Sequence, residues 1–447
     1  MFNILGTPKA ARRWAAVFAT ALLFSAHAVV AMDPPPSRPG VDAPELAKLG
    51  SYAVGVRTLV LTQTGQPNVL APVSAAGTLP LQDRLLTVDI WYPAHPAKGA
   101  KPATYSDALS AEPLHPPVPF TIAGLAVRDA PPATGSYPLV IVSHGYGGAS
   151  AGMSWLTENL ASKGYVVAAI RHRDPDYSAR GQFVGPLMRR PLDIAFVARQ
   201  LQSSKDAALT GADTSRVALV GYSMGGYGVL TAAGASLDPA GGPAISIPGG
   251  VMKPFVLGAP RAGEIKVPGV RAVVAIAPAG VGFNAWGKEG LADITTPLLV
   301  IGGDRDRTVG FPTGIRPVFD QAKNADRYLL VFQNGGHGIG MTGAPPSMRN
   351  ALWDMDWFED PVWRHDRIMA IQQHMITAFL DRFVKGDASR AAYLDTDVVI
   401  SNTAVWPKDG PSAGYDVISP GGPGATWKGF RKNHNDGLEL HHKAPGS

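Results

Sequence analysis

The stretch Gly221-Tyr222-Ser223-Met224-Gly225 constrains this chain most. Before it runs Arg216-Val217-Ala218-Leu219-Val220, a short apolar, β-branched run that reads as a buried strand. After it comes Gly226-Tyr227-Gly228-Val229-Leu230-Thr231-Ala232-Ala233, which reads as a helix. A G-x-S-x-G between strand and helix is the setting of a sharp turn that lifts a serine hydroxyl off a sheet. Small neighbours let helix and strand approach closely, and the glycines are expected to carry the strained backbone. The pattern arises by chance in glycine-rich chains, and this one has 51 glycines. The flanking strand and helix are what distinguish an elbow from a plain loop serine.

The rest of the chain supplies a matching architecture. Tyr52 to Leu61 and Leu85 to Tyr92 read as strands. In the second, Leu86, Val88 and Ile90 alternate with Thr87, Asp89 and Trp91, the half-buried pattern of an antiparallel edge. From residue 138 the runs become almost wholly apolar: Leu139 to Val142, Tyr165 to Ile170, Val217 to Val220, Ala272 to Ile276, Leu298 to Ile301 and Tyr328 to Phe332. Fully buried parallel strands look like this. Helical patterns sit between several of them. Ile194, Val197, Ala198 and Leu201 share one face, with Pro191 suited to a first turn. Strand–helix alternation argues an α/β fold with a mostly parallel sheet. Residues 237–270, rich in Gly, Pro and Ala, interrupt the alternation as a loop or cap insertion. Arg364 to Val384 reads as a helix with Ile368, Ile371, Met375, Phe379 and Phe383 on one face. The domain therefore spans 50–389, and 390–447 is a C-terminal extension, irregular in pattern, that packs back on it.

The N-terminus reads as a signal peptide over residues 1–31. Lys9, Arg12 and Arg13 precede a short apolar stretch, Trp14 to Phe24, and small-residue sites end at Ala28 and Ala31. Residues 32–49 read as a Pro-rich spacer. The expected product is secreted or periplasmic, with no stable membrane span after cleavage; Sec and Tat export are both left open. The formal charge of +5 falls to about +2 without the leader, which argues against a nucleic-acid partner. Cysteine is absent, which excludes disulfides, thiol nucleophiles and thiolate metal sites.

A serine hydroxyl needs a base to act as a nucleophile at neutral pH, and the base needs an orienting acid. The acid is expected after a late strand, and Gly303-Asp304-Arg305-Asp306-Arg307-Thr308-Val309 fits. Asp306 is preferred to Asp304 because Gly303 leaves a turn before the carboxylate; Asp304 then reads as a turn or capping residue. The base is expected after the last strand, where Gln333-Asn334-Gly335-Gly336-His337-Gly338 puts His337 in a flexible glycine loop. His172, His365 and His374 read as ordinary loop and helix residues. An oxyanion hole needs two backbone amides. Met224 N–H, following the nucleophile, supplies one, and Tyr146 N–H in His144-Gly145-Tyr146-Gly147-Gly148 supplies the other, with His144 bracing the loop. Trp353, Trp357 and Trp363 read as core, with an acyl-pocket role as the alternative. His434, His441 and His442 read as a solvated tail rather than metal ligands.

At these residues the chain resembles predicted dienelactone hydrolases. The resemblance lies in the H-G-Y-G-G loop, Met153-Ser154-Trp155-Leu156 leading to Gly164-Tyr165-Val166-Val167, the G-Y-S-M-G-G elbow, the Asp loop and the G-G-H loop. That α/β-hydrolase group borders the bacterial cutinase-like polyesterases and the platelet-activating-factor acetylhydrolases. The resemblance covers roughly residues 50 to 385. It implies an eight-stranded, mostly parallel sheet flanked by helices, and hydrolysis of a small-molecule or lipid-like ester through an acyl-enzyme. The chain departs from the group in two ways. Dienelactone hydrolases use a cysteine nucleophile, and the polyesterases usually carry Trp where Tyr222 stands. No cofactor and no metal are expected. The alternatives are an acyltransferase or amidase on the same triad, or a catalytically silent binding protein that kept the fold.

Overall fold

The computed structural model describes residues 34–109, 116–174, 183–407 and 416–447. They belong to the unit Asp33–Ser447. The expected signal peptide, residues 1–31, lies outside the described residues. The strands are β1 (Ala53–Pro67), β2 (Leu81–Ala94), β3 (Thr104–Leu109), β4 (Val118–Ala123), β5 (Val127–Arg128), β6 (Tyr137–Ser143), β7 (Val166–Arg171), β8 (Ala212–Tyr222), β9 (Val270–Ile276), β10 (Leu298–Gly303), β11 (Arg327–Phe332) and β12 (Leu438–Lys443). The longer helices are α1 (Ser154–Ser162), α2 (Val184–Ser203), α3 (Met224–Ala233), α4 (Arg316–Gln321) and α5 (His365–Phe383).

Among the described residues the main sheet has ten strands, in the order β12-β11-β10-β9-β8-β6-β7-β2-β1-β5. Those from β7 through β6 and β8 to β11 run parallel. Every residue of β6, β10 and β11 is buried, which is why these strands read as unbroken apolar runs. This is an α/β-hydrolase sheet: the expected eight strands, with β5 added beyond β1 and β12 beyond β11. The count of eight missed them for different reasons. β5 has two residues, and β12 sits in the tail that reads as irregular, where Leu438 and Leu440 face the core while His441 and Lys443 stay wetter.

β2 is not an edge strand. It pairs antiparallel with both β1 and β7. Its alternation reports one wet face, since Leu86, Val88 and Ile90 are buried while Thr87 and Asp89 are half-buried. Pro191 is likewise not in a first turn: α2 begins at Val184 and carries Pro191 in its interior. Proline cannot donate to the carbonyl four residues back. The Tyr227 hydroxyl of α3 donates to that Leu187 carbonyl instead, at 2.8 Å. Residues 34–49, read as a spacer, pack on the domain: the buried Ser37 hydroxyl donates to Glu158 at 2.5 Å, and Asn159 Nδ2 donates to Ala47 O at 2.8 Å. Among the described residues no helix is long and apolar enough to cross a membrane.

Candidate active site

Ser223 sits between the last residue of β8 and the first of α3, with φ 54° and ψ −114°. A non-glycine residue there is strained by about 1–3 kcal/mol. Three backbone bonds hold the conformation. Ser223 N–H donates to Ile276 O at 2.8 Å, and Ser223 O accepts from Tyr227 N at 3.2 Å and Ala279 N at 3.0 Å. The flanking glycines do a different job from the one expected. Gly221 and Gly225 are absent from the positive-φ residues; the strain falls on Ser223 itself. They are needed for close approach. A Cβ on Gly225 would lie 2.0 Å from Ser143 O, and one on Gly221 would lie 2.3 Å from Gly225 O.

The three side chains expected to act together do meet. His337 Nε2 is 3.0 Å from Ser223 Oγ, and His337 Nδ1 is 2.6 Å from Asp306 Oδ2. Asp306 Oδ1 accepts from Thr308 N at 2.8 Å and Val309 N at 3.0 Å. Burial pushes the Asp306 carboxyl up. The His337 hydrogen bond and charge, with the two amides, outweigh that and hold it below the ordinary carboxylate value. Asp306 is therefore a carboxylate that can fix the His337 tautomer. Asp304 instead accepts from Asn334 N at 2.7 Å, tying the end of β10 to the histidine loop.

That loop is held at several points, where its glycines suggested flexibility. Asp360 Oδ2 accepts from Gly336 N at 2.6 Å, and Tyr222 OH donates to His337 O at 2.9 Å. The glycine next to the base serves packing, since a Cβ on Gly338 would lie 2.8 Å from Glu359 O. Tyr222 also lies against the imidazole, ring centroids 5.3 Å apart. Neither Tyr222 nor Asp360 carried a sequence signal for this role, because each acts through a backbone atom far along the chain.

Ser223 and His337 open into a cavity of about 860 Å³, lined also by Tyr146 and Met224. Met224 N–H belongs to the first turn of α3, whose amides lack partners within the helix and carry a partial positive charge. The walls are mostly apolar and aromatic, including Phe183, Leu187, Phe283, Met341 and Trp357; Asp356 stands among them. The tryptophans divide. Trp357 lines the cavity, Trp353 is exposed, and Trp363 packs edge-on against Phe332 with centroids 5.1 Å apart. From the 237–270 insertion, Ser246 reaches the cavity wall.

The other histidines have other partners. His172 Nδ1 is 2.9 Å from Asp193 and its Nε2 is 2.9 Å from Ser143 Oγ, all three fully buried. Burial, aided by the Arg190 charge, pushes His172 down to about 4. His374 Nδ1 accepts from Leu46 N at 3.0 Å, and His365 Nε2 is 2.6 Å from Met341 O. His434 bonds to Lys432 O, His441 to Glu439 and His442 to Asp326. Among the described residues no group of three or more His, Asp or Glu could hold a metal ion.

The family model described as "PETase: PET hydrolase-like" matches residues 126–241, which include the Tyr146 loop and the Ser223 elbow but neither Asp306 nor His337. Cutinase est1 of Thermobifida alba is 26% identical over 237 residues, covering 50% of this chain and 61% of that protein. Cutinase 2 of Thermobifida cellulosilytica is 26% identical over 194 residues, 42% of this chain and 56% of that protein. The chain thus spans less than two thirds of the curated relatives it matches. A ferulic acid esterase structure from Streptomyces cinnamoneus aligns over 75% of this chain and 91% of its own, with a TM-score of 0.49 and 20% identity. The sheet order and the strand–elbow–helix give this chain an α/β-hydrolase fold, and the sequence matches to a PET hydrolase-like model and to cutinases fit the expected resemblance to the dienelactone hydrolase-like group near the cutinases.

Proposed function

We propose that the protein is a serine hydrolase of carboxylic esters. One observation carries the reading: a continuous Asp306–His337–Ser223 hydrogen-bond chain, with links of 2.6 and 3.0 Å, that ends in a largely apolar cavity. His337 Nδ1–H donates to Asp306, which leaves Nε2 to accept the Ser223 proton as Oγ attacks the ester carbonyl. The oxyanion that forms is met by Met224 N–H and Tyr146 N–H. His337 then gives its proton to the departing alcohol. Water, activated by the same imidazole, releases the acid from Ser223. The aromatic and aliphatic walls suit an ester with apolar acyl or alcohol groups, and the cutinase relatives make polyesters a second substrate class to assay.

The test is a p-nitrophenyl ester series on wild type and Ser223→Ala. Loss of about three to six orders of magnitude in kcat with the fold retained supports the reading. Near-wild-type turnover by the variant overturns it. We propose further that residues 1–31 are removed on export. N-terminal sequencing of protein from the native host should then begin just after Ala28 or Ala31, and an intact Met1 in a soluble cytoplasmic fraction contradicts it.

A further inference from the structure

We propose that Arg190 is a positioning residue for this hydrolysis: its guanidinium pins the Gly145 carbonyl, and so aims the Tyr146 N–H at the oxyanion. The inference builds on the reading of Ser223 as nucleophile and Tyr146 N–H as an oxyanion donor.

Arg190 projects from α2 and is fully buried. Its Nη1 donates to His144 O at 2.7 Å and its Nη2 to Gly145 O at 3.1 Å. Nη2 also pairs with Asp174, whose Oδ2 accepts from Gly147 N at 3.1 Å. The guanidinium and its counter-ion therefore grip the loop on both sides of Tyr146. Two further donors reach the same Gly145 oxygen: His144 Nδ1 at 2.7 Å and Gly148 N at 3.2 Å. A carbonyl can only accept, so His144 carries its proton on Nδ1. Its Nε2 accordingly accepts from His172 N at 3.2 Å. Burial, with the Arg190 charge, holds His144 well below the ordinary imidazole value, in keeping with that neutral form.

Gly145 O and Tyr146 N–H belong to one peptide unit. No cis bond occurs among the described residues, and in a planar trans unit the two groups point in opposite directions. Three donors drawing Gly145 O toward the interior thus turn Tyr146 N–H outward, to the cavity that Gly145 and Tyr146 line. Rotating that peptide would strip all three bonds from a buried oxygen, so the donor is preorganised before substrate arrives. The guanidinium reaches these acceptors from two nitrogens held in one rigid plane, whereas an ammonium would have to reach all three from a single, shorter-tethered nitrogen. Arg190 is also fixed to the elbow helix. A Cβ on Gly228 of α3 would lie 2.8 Å from Arg190 Cβ, so α2 meets the elbow helix closely at this residue.

The experiment compares Arg190→Lys, Asp174→Asn and Ser223→Ala in the full chain. It reads kcat and KM on p-nitrophenyl butyrate, Ki for phenylboronic acid as a tetrahedral-adduct mimic, and thermal melting. Arg190→Lys is expected to lower kcat about 10- to 100-fold, somewhat less than deleting an oxyanion donor outright. KM should stay within about threefold, and boronate binding should weaken in step with kcat, because a mis-aimed donor is felt mainly by the tetrahedral state. Asp174→Asn should change kcat and Ki in the same sense by about 3- to 10-fold. A folded Arg190→Lys with kcat and boronate Ki within twofold of wild type overturns the proposal. If that variant fails to fold, Asp174→Asn decides: unchanged kcat and Ki overturn the proposal, and parallel losses support it. Retained turnover in Ser223→Ala overturns instead the nucleophile reading beneath it.

Discussion

The Tyr222 hydroxyl donates to the carbonyl of His337 at 2.9 Å, so the residue before the candidate nucleophile holds the backbone of the candidate base. Gly340 leaves the space for the ring, since a Cβ there would lie 2.2 Å from Tyr222 Cδ2. Nucleophile and base are thereby registered through a covalent neighbour as well as through their own hydrogen bond.

Tyr222→Phe should keep the fold and lose that link. The expected cost is about 1 kcal/mol in stability, the net worth of a typical hydrogen bond, and a several-fold fall in kcat. Urea unfolding together with steady-state kinetics checks both. Unchanged kcat would show that the His337 loop is fixed without Tyr222.

The two aspartates after β10 should separate sharply. Asp306→Asn leaves the carboxamide unable to stabilise the imidazolium, and should lower kcat by about two to four orders of magnitude. Asp304→Asn disturbs the bond from Asn334 N and an exposed ion pair with Arg305 at 3.8 Å, neither of which touches His337, and should stay within about tenfold. Kinetics of both variants on one ester settle the roles; a larger loss in Asp304→Asn would exchange them.

Gly225→Ala should be far more damaging than its chemistry suggests. The new Cβ would lie 2.0 Å from Ser143 O, a backbone atom of β6 that cannot swing aside. The expected result is loss of soluble protein or a drop of several kcal/mol, as overpacking against backbone produces. Gly263→Ala is the control, because nothing lies within 4 Å of a Cβ there, and its stability should move by less than about 0.5 kcal/mol.

The parts of the site that were legible in the sequence are those written in local backbone rules. The elbow needs small residues at Gly221 and Gly225 within one turn of Ser223. The acid and base each follow directly on an apolar strand, β10 and β11. What stayed hidden works across the fold. Arg190 reads as one more polar residue on α2 until the structure brings its guanidinium to the loop at Gly145. Tyr222 and Asp360 act on carbonyl and amide groups that carry no side-chain signature. β12 was missed because a polar-faced strand of six residues in a tail rich in Gly and Pro lacks the apolar run that marked the core strands.

Acid should destabilise the protein before its carboxylates titrate. Burial, with the Arg190 charge, pushes His172 down to about 4, and burial with the Lys163 charge pushes His374 down to about 3. Burial and Arg190 also hold His144 well below its ordinary value. In the unfolded chain these imidazoles take up protons near ~6.5. Their contribution is complete above that pH and is lost as pH falls from ~6.5 toward 4, because the unfolded state binds protons that the folded state refuses. The slope should reach about 4 kcal/mol per pH unit if all three behave alike. Urea unfolding at pH 8, 6.5 and 5 tests this; stability that is level from pH 7 to 5 would contradict it.

Among the described residues the fold holds two Ser–His–Asp chains, Ser223–His337–Asp306 at the cavity and Ser143–His172–Asp193 in the interior. The first is the candidate nucleophilic chain, since Ser223 lines the cavity and Ser143 is fully buried. The most direct measurement is labelling with a fluorophosphonate, followed by peptide mapping. The predicted result is a single adduct on Ser223, absent from Ser223→Ala and slowed in His337→Gln. An adduct on Ser143, or no adduct on folded wild-type protein, would contradict the account.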